Sequence, residues 1–133
     1  MAELTLAQIF LVAAERDGQA FRKLADDPAL HDSLAGFHAQ QAVEKALKAV
    51  LAYAGVPFRR THDIAELLDL LSDNGLPEPP YAQHLDELNP YAVEMRYGLV
   101  DPVGLDRPKT DSWVREVIAW SRACINAGEN LVP

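Results

Sequence analysis

The chain is 133 residues long, 49% hydrophobic and 24% charged, with a formal net charge of -8. That length supports one domain, residues 1–133, whose folding would bury about two thirds of the surface the unfolded chain exposes. No apolar run approaches the ~18 residues a membrane span needs, the acidic balance excludes a broadly basic grip on nucleic acid, and the single cysteine, Cys124, excludes an internal disulfide.

The opening MAELTLAQ has no basic n-region and no cleavage-like site, so a cytoplasmic location is expected. Thr5 and Gln8 form a T-x-x-Q capping box that opens a first helix. Its apolar stripe is expected to be Leu6, Ile9, Phe10, Ala13, Ala20, Phe21 and Leu24, and it should stop near Asp26, Asp27 and Pro28. A second helix is expected from about Ser33 to Ala54, closed by Gly55 with Pro57 beyond. Asp63 and Glu66 open a short third helix, DIAELLDLLSD, ending at Asn74 and Gly75. The linker LPEPPY leads to a fourth helical segment, about Ala82 to Tyr97, with a kink or restart at Pro90 and Asn89 as its cap. GLVDPVGLDRPKTDS reads as a loop. The last helix, about Ser112 to Asn130, carries Trp113, Val114, Val117, Ile118, Trp120, Cys124 and Ile125 on a broad apolar face. The expected fold is all-α, an antiparallel bundle of four long helices plus one short helix.

Three polar residues fall where core residues belong. On the second helix Ala39, Val43, Ala46, Leu47, Val50, Leu51 and Ala54 make an apolar arc, with Gln40 inside it and Glu44 at its edge. His38, Gln41, Lys45 and Lys48 make a separate polar stripe. Asp17 falls near the middle of the first helix's stripe, and a lone buried carboxylate costs several kcal/mol unless paired, so Asp17 needs a partner. Arg96, at the edge of the stripe Leu85, Leu88, Ala92, Met95 and Leu99, is one available cation. Asp17, Gln40, Glu44 and Arg96 are therefore expected to meet between helices one, two and four. Such a cluster would bind a ligand or only fix the register of the bundle.

FHAQQAVEKALKAVL, then THDIAELLDLL, then NPYAVEMRYG, in this order and spacing, resemble the HEPN family, the higher eukaryote and prokaryote nucleotide-binding domain, over about Leu6 to Glu129. The resemblance implies a helical bundle, homodimerisation, frequent pairing with a small nucleotidyltransferase, and binding of a nucleotide or RNA. It also covers RNA-cleaving toxins of toxin-antitoxin pairs. The ribonuclease branch uses an arginine followed after four to six residues by a histidine. Here Asp101, Pro102 and Val103 stand where that histidine would follow Arg96, and Gly98 replaces the proline of the common RYP. Arg22 precedes His31 by too many residues, and Arg59 and Arg60 precede His62 by too few.

Metal-free RNA cleavage needs a general base and an electrostatic stabiliser together. Arg96 is a candidate for the second, and His62 of RRTHD is the remaining candidate for the first, although a capping or surface histidine is its plainer role. Arg59, Arg60 and His62 at the mouth of the third helix, with Lys45 on the polar stripe, form a secondary candidate phosphate site. No G-x-x-x-x-G-K or G-x-G-x-x-G loop is present, no histidine follows a glutamate at Glu-x-x-His spacing, and one cysteine makes no zinc knuckle, so neither metal nor cofactor is expected.

The expectation is a non-cleaving HEPN-type binding module, with a divergent metal-independent ribonuclease and a ligand-free helical scaffold as alternatives. The apolar last helix, with Trp113 and Trp120 available to a second subunit, favours a homodimer.

Overall fold

The computed structural model describes residues 3–92 and 104–130, with side chains through 127. Four α-helices, α1 (Leu6–Ala25), α2 (Asp32–Tyr53), α3 (Ile64–Asp73) and α4 (Arg107–Asn130), and one 3-10 turn (Leu85–Leu88) make an all-helical fold, with no strand among the described residues. The Thr5 hydroxyl accepts from Gln8 N–H while the Gln8 side chain accepts from Thr5 N–H, so the capping box of α1 is complete. Gly55 and Gly75 sit in the left-handed region, at φ 74° and 66°. They let Val56 N–H reach Leu51 O and Leu76 N–H reach Leu71 O, which ends α2 and α3 as the sequence expects.

The α1–α2 hairpin is antiparallel, placing Ala7 against Ala49 at one end. α4 runs back along both: its start meets Ala25, Asp27 and Asp32, the Ser121 hydroxyl donates to Ala46 O, and Ile125 joins Ala7 and Ala49. α2 is the central rod. Its alanines at 35, 39, 42, 46 and 49 are wholly inaccessible, as are Val43, Leu47 and Leu51.

The buried face of α1 is not the expected stripe. Ala7, Ala14, Gly18 and Phe21 are buried, whereas Leu6 and Ile9 remain 57% and 50% exposed. The small residues of α1 face the alanines of α2 and the side chains of α4, because only small residues let helix backbones approach closely. A Cβ at Gly18 would lie 3.0 Å from Ile118 Cδ1.

Two further boundaries differ from expectation. The fourth segment is not one helix from Ala82: residues 82–84 form turns, the 3-10 turn follows, and helical conformation resumes at Tyr91 and Ala92. Asn89 faces α3, accepting from Ile64 N–H (2.9 Å) and donating to Asp63 Oδ1 (2.9 Å), so it helps cap that helix. α4 begins at Arg107 rather than Ser112, because Asp106 caps it by accepting from Lys109 N–H (3.0 Å) and Pro108 is tolerated in a first turn that needs no N–H donor.

Trp113 is not available to a partner. It is 5% exposed, stacked by His84 and approached by Tyr81 and by the Lys109 ammonium. Tyr81 adopts φ 61°, a strained value for a non-glycine residue, and its hydroxyl donates to Glu116. That bond, then burial, raises the phenol above its ordinary pKa.

Arg107 closes the end of the bundle. Its guanidinium donates to Asp32 Oδ1 (3.0 Å) and to the carbonyls of Ala25 (3.1 Å), Asp27 (2.9 Å) and Leu30 (2.6 Å), while Leu105 N–H donates to Asp32 Oδ2. It thereby joins α4 to the C-terminal carbonyls of α1 and to the start of α2.

Gly36 on α2 meets the face of Tyr91. A Cβ there would fall 2.3 to 2.7 Å from three ring atoms, and a buried aromatic ring cannot bend away. Gly36→Ala should lower stability by about 1–3 kcal/mol in urea unfolding. Cys124, packed against the core, has its thiol pushed up by burial. A raised pKa means less thiolate at a given pH, so alkylation by iodoacetamide at pH 8 should be about tenfold or more slower in the folded chain than in urea.

Candidate functional site

Glu44 sits near the middle of α2 with 3% of its side chain exposed. Three donors hold it. Gln40 Nε2, one turn earlier on α2, donates to Oε1 at 3.1 Å; Lys48 Nζ, one turn later, donates to Oε2 at 2.9 Å; and His62 Nδ1 contacts Oε1 at 2.9 Å. A carboxylate can only accept, so a neutral His62 must carry its proton on Nδ1.

The same side chains grip the backbone before α3. Gln40 Nε2 also donates to His62 O (2.9 Å), and Lys48 Nζ donates to Thr61 O (2.9 Å) while lying 5.8 Å from the Phe58 ring centroid. Gln41 Nε2 donates to Gln40 Oε1 at 2.6 Å, so the Gln40 amide uses both its donors and its acceptor. Thr61 Oγ1 accepts from Asp63 N–H, and Asp63 Oδ1 accepts from Ala65 N–H as the N-cap of α3. An i, i+4, i+8 polar ridge on α2 thus fixes the turn that opens α3.

Gln40 therefore stands in the core to bond both a buried carboxylate and a buried carbonyl. Lys48, expected on a separate polar stripe, belongs to this cluster and is 8% exposed. The sequence signal was present: Gln40, Glu44 and Lys48 share one helical face at four-residue spacing.

Asp17 has polar partners, but among the described residues they are neither Gln40 nor Glu44. Its carboxylate, 13% exposed, contacts His38 Nδ1 at 2.9 Å and accepts from Lys45 Nζ at 2.6 Å. This triad bridges α1 and α2: of the expected polar stripe, Lys45 supplies the counter-charge that Asp17 requires and His38 a second polar contact. Arg96, expected to join this cluster, lies outside the described residues.

Of the secondary candidates, Arg59 is tied to Glu66, with Nε and Nη2 both within 3.0 Å of its oxygens. The hydrogen bond to Glu66, then its charge, raises the Arg59 pKa above its ordinary value. Glu66 is thereby diverted from the capping box it would make with Asp63. Arg60 is exposed, and the His62 side chain is 64% exposed on the flank of the buried Glu44. With Nδ1 turned to Glu44, the other ring nitrogen, Nε2, lies on the far side of the imidazole. Among the described residues no three His, Cys, Asp or Glu side chains are grouped as a metal ion would need, and no helix is long and apolar enough to cross a membrane.

The buried ion pair makes a sharp energetic contrast. Glu44→Ala leaves the Lys48 ammonium buried without its carboxylate and should cost about 3–5 kcal/mol. The double variant Glu44→Leu, Lys48→Met removes both charges and should lose less than the single variant in the same denaturant titration.

These features sit in a chain with clear relatives. The family profile described as HEPN domain matches residues 7–131. The crystal structure of ST0689, described as an archaeal HEPN homologue, is 25% identical to this chain with a TM-score of 0.53, over 98% of this chain and 100% of that one. No curated protein matches. With a helical fold and a family match along almost its whole length, the chain belongs to the HEPN family.

Proposed function

We propose that this chain is a non-cleaving HEPN-type binding module that engages the phosphate of a nucleotide or of RNA through His62 and Arg60, flanked by Arg59 and Lys45. The observation that carries this reading is the Glu44–His62 contact. A buried, fully bonded carboxylate fixes an otherwise exposed imidazole, and an exposed arginine stands two residues away. A charged imidazole donates from Nε2 to a phosphate oxygen, and Arg60 supplies the second cation. The Asp17–Lys45 pair and the Arg59–Glu66 pair hold the flanking cations in place.

The missing Arg-x4-6-His spacing favours binding over cleavage. A small nucleotidyltransferase is the expected protein partner, in keeping with the family's habit and the net charge of -8. A homodimer is part of the same reading. Its support is the exposed Leu4, Leu6, Ile9 and Tyr53, at the end where α1 begins and α2 finishes.

One observation favours the rival ribonuclease. An imidazole oriented by a carboxylate through Nδ1 is a general-base arrangement, and the neutral form would present the Nε2 lone pair. RNA cleavage in EDTA by the wild type, His62→Ala and Arg96→Ala separates the two. The binding module gives no cleavage by any of them, with calorimetric binding of AMP or a short RNA weakened about tenfold or more by His62→Ala. Cleavage by the wild type that His62→Ala abolishes would overturn the proposal.

A further inference from the structure

The α1–α4 side of the bundle carries a second concentration of positive charge, away from His62. A cleft of ≈ 670 Å³ lies between the last turns of α1 and the first turns of α4, within the size range of small-ligand sites. Arg22, Lys23, Arg107 and Arg115 line it, against only Asp26 and Asp111. Arg22 and Arg115 also line a contiguous ≈ 220 Å³ hollow with Arg122 and the acidic Glu15. Five of the twelve Lys and Arg residues of a chain with net charge -8 therefore face one groove. Arg22 is five residues from Asp17 on α1, which puts the two about 140° apart around the helix axis.

Pairing within the fold leaves part of this charge unspent. Arg107 spends its guanidinium on Asp32 and three carbonyls. Arg115 gives only Nε to Asp111, and Arg122 gives Nη2 to Glu15. Among the described residues neither Arg22 nor Lys23 has an acidic partner. A structural duty at the negative C-terminal end of α1 would account for basic residues there. That end is already served by Arg107, through the carbonyls of Ala25, Asp27 and Leu30, and by Asp26 N–H, which donates to Arg22 O. Arg22 and Lys23, without a counter-charge of their own and beside the partly used Arg115, favour an anion between them.

We propose that this cleft is a binding site for a terminal phosphate group, separate from the His62 face. Arg22 and Arg115, one from each helix, grip its oxygens with their free N–H groups, and Lys23 stands at the rim. The ligand carries a phosphate monoester or diphosphate end, as a free nucleotide and a 5′-phosphorylated RNA both do.

The test is calorimetric titration of the full chain with inorganic pyrophosphate, AMP, and a short RNA with and without a 5′-phosphate. The variants are Arg22→Ala with Arg115→Ala, Lys23→Glu, and Arg60→Ala. The proposal expects pyrophosphate to bind the wild type and, in an Arg60→Ala background that weakens the His62 face, a remaining binding event that the double variant and Lys23→Glu each weaken about tenfold or more. Lys23 is exposed, so Lys23→Glu reports on the site even if the double variant fails to fold. Under the proposal, equal binding by AMP and the 5′-phosphorylated RNA assigns a free phosphate source, and preference for that RNA over both AMP and its 5′-hydroxyl twin assigns a nucleic-acid end. No pyrophosphate binding, or binding in the Arg60→Ala background unchanged by Lys23→Glu, overturns the cleft; complete loss of binding in Arg60→Ala overturns it too while leaving the His62 reading intact.

Discussion

The Glu44 carboxylate is the constraint around which the middle of the molecule is arranged. It lies on the central helix, almost shut off from solvent, and water cannot hydrate it. Every lone pair it presents must find a donor inside the protein, since an uncompensated buried charge costs several kcal/mol. Gln40 and Lys48 supply two donors from the same helix and His62 a third from another segment. Because Gln40 and Lys48 also hold the carbonyls of His62 and Thr61, satisfying the charge fixes the path of the chain into α3. Thr61, Asp63 and Asn89 then complete the N-terminus of that helix. Removing one charge therefore exposes the other, whereas removing both spares that penalty.

The bundle around this cluster is held by two other devices. Small residues at Ala7, Ala14 and Gly18 let α1 settle on α2 and α4, and the face of Tyr91 rests on Gly36 in the same way. Arg107 ties three helix ends together through one side chain, and its fixed planar fork suits several acceptors at once. These contacts leave two solvent-facing polar regions with different character. Around His62 the histidine is positioned by a buried acid. Along the α1–α4 cleft the arginines are partly unpaired.

Much of this was legible in the sequence, and the gaps have physical causes. The Thr5–Gln8 box and the glycines at 55 and 75 set the helix ends because capping chemistry is local. Gln40 and Glu44 were conspicuous because a polar residue within an apolar arc needs a partner. Lys48 was misplaced because a lysine one position off the arc looks solvated until a loop covers it. The α1 face was misjudged because Leu6 and Ile9 outweigh Ala7 and Gly18 in any hydrophobicity pattern, while close approach selects the smaller side chains. Arg107 was invisible: its partners lie about 75 to 82 residues earlier in the chain, and the proline beside it read as loop. His38 and Lys45 as partners of Asp17 required the α1–α2 register, which only packing supplies.

The central claim is that buried Glu44 orients His62 through Nδ1. Long-range ¹⁵N–¹H correlation spectra of the histidine rings, recorded where His62 is neutral, read the tautomer directly. The account predicts the Nδ1–H form for His62 in the wild type, reverting to the commoner Nε2–H form in Glu44→Gln. An Nε2–H tautomer in the wild type would contradict it, because Nδ1 would then have no proton to give the carboxylate.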